Sequence, residues 1–178
     1  MDRIERIDRK VVKKAHIFDL CEDKIKLPDG NIVYYDTLLH KGAAAVLPVL
    51  EDGRILLIRQ FRNAIDRYSL EIPSGGREEK EDYESAAKRE LQEETGYRAG
   101  RLWHLLSFHS AMAFSNEKLE IYVAEELIEG EGDPDPEEFI QVCPYSLVEL
   151  NSLIWEGKIQ DSKTIAAIMS YQVYNKEK

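Results

Sequence analysis

Residues 82–95 contain neither glycine nor proline, and Ala86, Ala87 and Leu91 recur there at helical spacing, so this stretch predicts one helix that Gly96 ends. What surrounds it reads as strand. Runs at 24–27 and 31–39 flank Pro28-Asp29-Gly30, a turn signal that predicts an antiparallel hairpin. Runs at 43–50 and 54–60 flank Glu51-Asp52-Gly53, and a third at 68–72 ends at Pro73. These three are the expected core strands. Beyond the helix, strands are expected at 101–108 and 118–125, followed by an acidic glycine and proline loop from Gly130 to Pro136. Ser146-Leu147-Val148-Glu149 is a capping box that predicts a helix stopping at Gly157, and Asp161 can cap a last helix reaching about Tyr174. Strands and helices mix without βαβ alternation, which favours an α+β sandwich of helices over a mixed sheet, not a doubly wound nucleotide fold.

Composition narrows the function. The 178 residues are 43% hydrophobic, enough to bury a core. Lysine and arginine number 24 against 34 aspartates and glutamates, a net charge of -10 that repels phosphate backbones, and no basic cluster offsets it, so no nucleic acid partner is expected. The longest apolar run, 43–50, contains Pro48 and falls far short of the ~20 residues a membrane helix needs. Residues 1–14 mix acidic and basic side chains without an apolar segment, so a cytoplasmic location is expected. Cys21 and Cys143 are isolated and read as reduced, structural residues. His16, His40, His104 and His109 share no metal-ligand spacing, and Trp103 and Trp155 read as core or interface anchors.

The chemistry concentrates in 75–97. Glu90, Glu93 and Glu94 stand at i, i+3 and i+4 and share one face of the expected helix. Like charges at that spacing cost a few tenths of a kcal/mol each, roughly, unless something positive offsets them. A divalent cation with hard oxygen ligands, Mg²⁺ or Mn²⁺, does so well, and Arg89 can neutralise part of the remainder.

Gly75, Glu81, Arg89-Glu90-Leu91, Glu93-Glu94 and Gly96-Tyr97 together resemble the signature of the Nudix hydrolases, G-x5-E-x7-R-E-U-x-E-E-x-G-U with U a bulky apolar residue. Tyr97 stands where an aliphatic residue is commoner. The resemblance implies a Nudix α/β/α sandwich over residues 42–178. Residues 1–41 would add a small antiparallel sheet that helps build a homodimer and part of the substrate pocket. It also implies metal-assisted attack of water on a nucleoside diphosphate derivative. Glu90, Glu94 and the Ser74 carbonyl would bind the principal Mg²⁺ (Mn²⁺ possible), and Glu93 would complete or bridge a second ion. Arg89 would orient the carboxylates, and Glu81 would support the loop or reach a metal through water.

Beyond the signature, the chain resembles the ADP-ribose pyrophosphatases and related nucleoside diphosphate sugar hydrolases. Arg59-Gln60-Phe61-Arg62 looks like the segment that supplies a diphosphate-binding arginine, with Arg62 first choice and Arg77 second. Leu70-Glu71-Ile72-Pro73-Ser74-Gly75 looks like the strand entering the Nudix loop, and Asp161-Ser162-Lys163-Thr164 like the start of the final helix. Phe114-Ser115-Asn116-Glu117 resembles a loop whose glutamate contacts the terminal ribose, yet Ala111-Met112-Ala113 precedes it where that subgroup carries Ser-Pro-Gly. GDP-mannose is therefore an alternative substrate, and a catalytically silent sensor an alternative role. In the late acidic loop Glu137 and Glu138 match a general-base position, with Glu138 first choice. Tyr34 and Tyr35 alternate in direction if their run is a strand, so only one can face a base, and Tyr35 is the candidate.

Overall fold

Gly30 and Gly53 adopt positive φ (87° and 81°) at two tight turns that open the architecture. A computed structural model describes residues 3–132 and 139–176. Among these are ten strands, three α-helices and one 3-10 turn. The chain divides into two compact units, each described by itself.

The first unit combines residues 1–42 with 109–118. Its sheet has the order β1-β2-β3, from β1 (Glu5–Lys14), β2 (Phe18–Lys26) and β3 (Ile32–His40), with both pairings antiparallel. The expected hairpin is present: Gly30 N–H donates to the Leu27 carbonyl, and Leu27 N–H to that of Asn31. Strand β1 was not legible in advance, because ERIDRKVVKK lacks alternation and none of its residues is buried. Its place is fixed by Arg9, whose guanidinium donates twice to the Asp23 carboxylate at 2.5 Å; Asp23 also accepts from Thr37 Oγ1. Residues 114–116 lie along β3, with Leu38 N–H donating to the Phe114 carbonyl and Asn116 N–H to that of Leu38.

The second unit contains residues 43–108 and 119–178. Its mixed sheet runs β7-β4-β9-β8, from β4 (Ala43–Pro48), β7 (Ser74–Gly76), β8 (Tyr97–His109) and β9 (Lys118–Glu129). Strand β4 is parallel to β9 and antiparallel to β7. A three-stranded antiparallel sheet, β10-β5-β6, joins β5 (Ile55–Arg62), β6 (Arg67–Glu71) and the unforeseen β10 (Gln141–Tyr145).

Side chains of the mixed sheet alternate between two cores. Ala45, Leu47, Ile121 and Val123 pack with Leu150 of α2 (Leu147–Trp155) and Ala167, Ile168 and Tyr171 of α3 (Ser162–Lys176). Ala44, Val46 and Ala124 face the other way, against Ala86, Ala87 and Leu91 of α1 (Tyr83–Thr95). Helices thus cover both faces of the sheet, and the layers are those of the Nudix sandwich. The capping box at Ser146 forms as expected, and Gly157 takes a positive φ of 69° just after α2. Trp103 is half-buried, with its indole N–H on Glu125 at 2.8 Å and its ring against Tyr174. Trp155 is 85% exposed, so of the two roles expected for it, core or interface anchor, the core one is corrected. Among the described residues no helix is long and apolar enough to cross a membrane.

Candidate active site

Small residues bring α1 close to the sheet. Ala86 and Ala87 are fully buried against Ala44 of β4, and on β4 Ala44 and Ala45 pair with Gly75 and Ser74 of β7. This sets the carboxylate-bearing helix beside the strand that enters it. Asp82 caps α1 by accepting the Ser85 N–H at 2.7 Å, and Gly96 ends it with a φ of 77°.

Gly75 is required by sterics. A Cβ there would stand 2.0 Å from Oε1 of Glu90 and 2.2 Å from its Cδ, so the Glu90 carboxylate occupies the space any side chain would fill. Glu90 and Glu94 are both buried, and Glu94 accepts the Ser74 N–H at 2.8 Å. Strand β7 therefore holds Glu94 through its backbone and leaves room for Glu90 beside Gly75.

Arg89 gathers the rest. Its Nε and Nη2 donate to the two oxygens of Glu81 at 3.0 and 3.1 Å, and its Nη1 donates to Glu90 at 2.7 Å and Glu93 at 2.9 Å. Nη2 also reaches the Gly76 carbonyl. The hydrogen bonds to Glu81 raise the Arg89 pKa above its ordinary value despite partial burial, and the same bonds hold Glu81 below the usual carboxylate range. Helical spacing suggested that Glu90, Glu93 and Glu94 converge on one point. In the structure Glu90 and Glu93 accept from Arg89, and Glu94 accepts from the Ser74 N–H. Accordingly, among the described residues no group of three or more histidine, cysteine, aspartate or glutamate side chains is arranged as an ion cage.

The donor set nevertheless fits a hard divalent cation. One guanidinium faces three carboxylates, those of Glu81, Glu90 and Glu93, so the cluster keeps a surplus of negative charge, and each of its acids offers oxygen. Glu93 is the most accessible of the three acids.

A second charged cluster centres on Glu71, only 3% exposed. Arg62 Nε and Nη2 donate to its two oxygens at 2.8 and 2.7 Å, and Lys163 Nζ donates to Oε2 at 2.5 Å. Burial pushes the Glu71 carboxyl upward, but hydrogen bonds and charge from Arg62 and Lys163 outweigh it and hold the pKa at about 2. A cavity of about 640 Å³ is lined by Arg62, Arg67, Tyr68, Glu71, Lys163 and neighbours. Glu94 also acts on the charge of Arg62, so the two clusters lie within electrostatic reach of each other.

The other sequence candidates are placed as follows. Arg77 lies over the Tyr83 ring, 4.2 Å from its centroid, and its Nε is buried without a hydrogen-bond partner among the described residues. In the first unit, Glu117 accepts the Ser110 hydroxyl at 2.5 Å and has His40 Nδ1 at 3.7 Å, beside a cavity of about 290 Å³. Tyr35 is 55% exposed, and so is its neighbour Tyr34 at 59%. Met112, in the divergent Ala111-Met112-Ala113 turn, is 80% exposed. Glu137 and Glu138 lie outside the described residues.

Comparison with known proteins gives the family. The NUDIX domain model matches residues 39–168. The chain belongs to the Nudix hydrolase family. An ADP-ribose pyrophosphatase of Bacillus subtilis (strain 168) is 34% identical over 177 residues, covering 96% of each chain. A methanol dehydrogenase activator of Bacillus methanolicus is 33% identical over 173 residues, covering 93% of this chain and 94% of the relative. The crystal structure of an ADP compounds hydrolase superposes with a TM-score of 0.87 over 98% of this chain and 95% of its own, at 21% identity, which shows the fold.

Sequence reasoning about this Nudix hydrolase missed two residues of the second cluster. Glu71 was noted only as part of a strand, and Lys163 only as part of a helix start. An acid between Leu70 and Ile72 in a buried strand was the available signal, since a buried carboxylate needs a cation.

Proposed function

We propose that this Nudix pyrophosphatase hydrolyses the diphosphate linkage of a nucleoside diphosphate sugar, with ADP-ribose the first choice and AMP and ribose 5-phosphate the products. The observation that carries the reading is the packing of the Glu90 carboxylate into the space left by Gly75, within a cluster where one arginine faces three acids. The full-length similarity to an ADP-ribose pyrophosphatase supports the substrate.

Glu90, Glu94 and the Ser74 carbonyl would hold Mg²⁺ or Mn²⁺, with Glu93 completing or bridging a second ion. Bound there, the metal supplies neutralisation of phosphate charge and acidification of a coordinated water. The protein's own part is positional. Arg89 keeps Glu81, Glu90 and Glu93 in register with the loop. Arg62, helped by Arg77, grips the diphosphate through paired N–H donors. Glu138 accepts the proton of the attacking water. For Glu117 as a ribose contact and Tyr35 as a base contact, the support is family resemblance alone.

Residues 1–41 are proposed to pair two chains into a homodimer and contribute to substrate binding. Exposed Ile4, Ile7, Val11 and Val12 of the N-terminal segment support that reading. Sedimentation of purified protein at twice the monomer mass is the expected result, and a monomer at micromolar concentration contradicts it. A cytoplasmic location belongs to the same proposal.

The Ala111-Met112-Ala113 turn favours a second reading, in which another diphosphate sugar such as GDP-mannose is preferred, because neither proline nor glycine shapes that loop. Purified protein with Mg²⁺ and a panel of diphosphate substrates, compared by kcat/KM, tests both. AMP release from ADP-ribose at the highest kcat/KM is expected. Preference for GDP-mannose selects the second reading, and tight binding without product from any substrate overturns hydrolysis in favour of a sensor.

A further inference from the structure

The motif Asp161-Ser162-Lys163-Thr164 at the start of α3 has no part in the catalytic reading above, yet it reaches the arginine assigned to the diphosphate. Lys163 is almost buried, with its side chain 11% exposed, and its Nζ bonds Glu71 Oε2 at 2.5 Å and Asp161 Oδ1 at 3.0 Å. The other Asp161 oxygen accepts the Thr164 N–H at 2.9 Å and hydroxyl at 2.6 Å, and Thr164 Oγ1 in turn accepts the Ile72 N–H. Helix α3 is thereby tied to the end of β6, the strand that runs into the Gly75 loop.

The orientation of Arg62 within this network is the informative detail. Its Nε and Nη2 are spent on Glu71, a side-on pairing. The outer edge of the guanidinium, Nη1 with the second N–H of Nη2, has no protein partner among the described residues, and the side chain is 40% exposed on the wall of the 640 Å³ cavity. That outer edge is a second planar fork of the kind that matches two phosphate oxygens. Lys163 shares the Glu71 charge, so Arg62 is not fully neutralised by its anchor. Arg62 and Lys163 face two acids, Glu71 and Asp161, and Arg67 on the same cavity wall pairs with the neutral Gln160, so the lining keeps positive character.

We propose that Glu71 and Lys163 are positioning residues: they lock Arg62 side-on so that its outer fork meets a diphosphate already oriented. The inference rests on the reading of Arg62 as the diphosphate arginine. Ordering a long side chain before the substrate arrives lowers the cost of binding, so the effect belongs in KM more than in kcat.

The test is a mutant cycle between positions 62 and 163, read by steady-state kinetics with Mg²⁺ and ADP-ribose, by calorimetric affinity for inorganic pyrophosphate, and by Tm. Lys163→Met is expected to raise KM and pyrophosphate Kd about tenfold, the size of one charge-assisted hydrogen bond, with kcat changed less than about threefold. Lys163→Arg, which keeps the charge and can still reach Glu71, is expected to recover most of the loss. In an Arg62→Ala background, Lys163→Met is expected to add nothing to KM or Kd, because the lysine acts through the arginine. Equal KM and pyrophosphate Kd for wild type and Lys163→Met overturn the inference. So does an undiminished effect in the Arg62→Ala background, or a fall in Tm that accounts for the whole change. Failure of the ADP-ribose reading is distinguishable: the wild type then turns over no ADP-ribose, while pyrophosphate affinity still reports on the lysine.

Discussion

Two ion clusters flank the loop at Gly75, and their charge balances are opposite. At Arg89 one cation meets three acids, and the surplus is negative. Around the Glu71 cavity three cations, Arg62, Arg67 and Lys163, meet two acids, Glu71 and Asp161, and the surplus is positive. A metal with a diphosphate attached has the matching pattern, cationic at one end and anionic at the other. Local imbalance, more than the number of charges, is what the proposed function rests on, since a net charge of -10 alone would argue against a phosphate ligand.

The comparison breaks most completely if the negative cluster is neutralised. Glu94→Gln keeps the side-chain shape and an oxygen for the Ser74 N–H, so kcat should fall on the order of 100- to 1,000-fold with Tm nearly unchanged. A parallel loss of folding and activity would show that Glu94 is structural. Gly75→Ala attacks the same cluster by sterics. With a Cβ 2.0 Å from Glu90 Oε1, the carboxylate must leave its place, and a loss of activity on the order of tenfold or more should accompany roughly 1–3 kcal/mol of destabilisation in denaturant titration.

Acid sharpens the contrast by acting on the positive cluster. The Glu71 pKa in the folded chain, about 2, lies below its ordinary value of 4.5, so Glu71 contributes stability above pH 4.5 that is lost as pH falls from there toward 2. The contribution is roughly 3 kcal/mol. Denaturant midpoints measured across that window should fall for the wild type and flatten for Glu71→Gln. The smallest effect is a control away from both clusters. Gly96→Ala places a Cβ at a φ of 77° and 3.2 Å from the Gly130 carbonyl, which should cost about 1 kcal/mol or somewhat more in stability with little change in KM.

How much of this was legible in the sequence follows from the range of each interaction. Caps, turns and the 3.6-residue period act within a few residues, so α1 with Asp82 and Gly96, the Ser146 capping box and the Gly30 hairpin could be read directly. The charged β1 could not, because its partner Asp23 is fourteen residues away and becomes buried only once the sheet forms. The same holds for the sites. Gly75, Glu90 and Arg89 were legible through a motif that resembles a known family. The bond between Lys163 and Glu71 spans 92 residues, and nothing local announces it. That the three glutamates divide between Arg89 and Ser74 also required the side chains themselves, since spacing fixes the helix face and not the rotamer.

Manganese binding followed by electron paramagnetic resonance tests the negative cluster most directly, since free Mn²⁺ gives a signal that protein ligands broaden. Titration of the wild type should show specific binding that Mg²⁺ displaces, and Glu90→Gln or Glu94→Gln should weaken it at least about tenfold, the usual scale for altering a metal's protein surroundings. Unchanged Mn²⁺ affinity in both variants would contradict the assignment of the α1 carboxylates as the metal site.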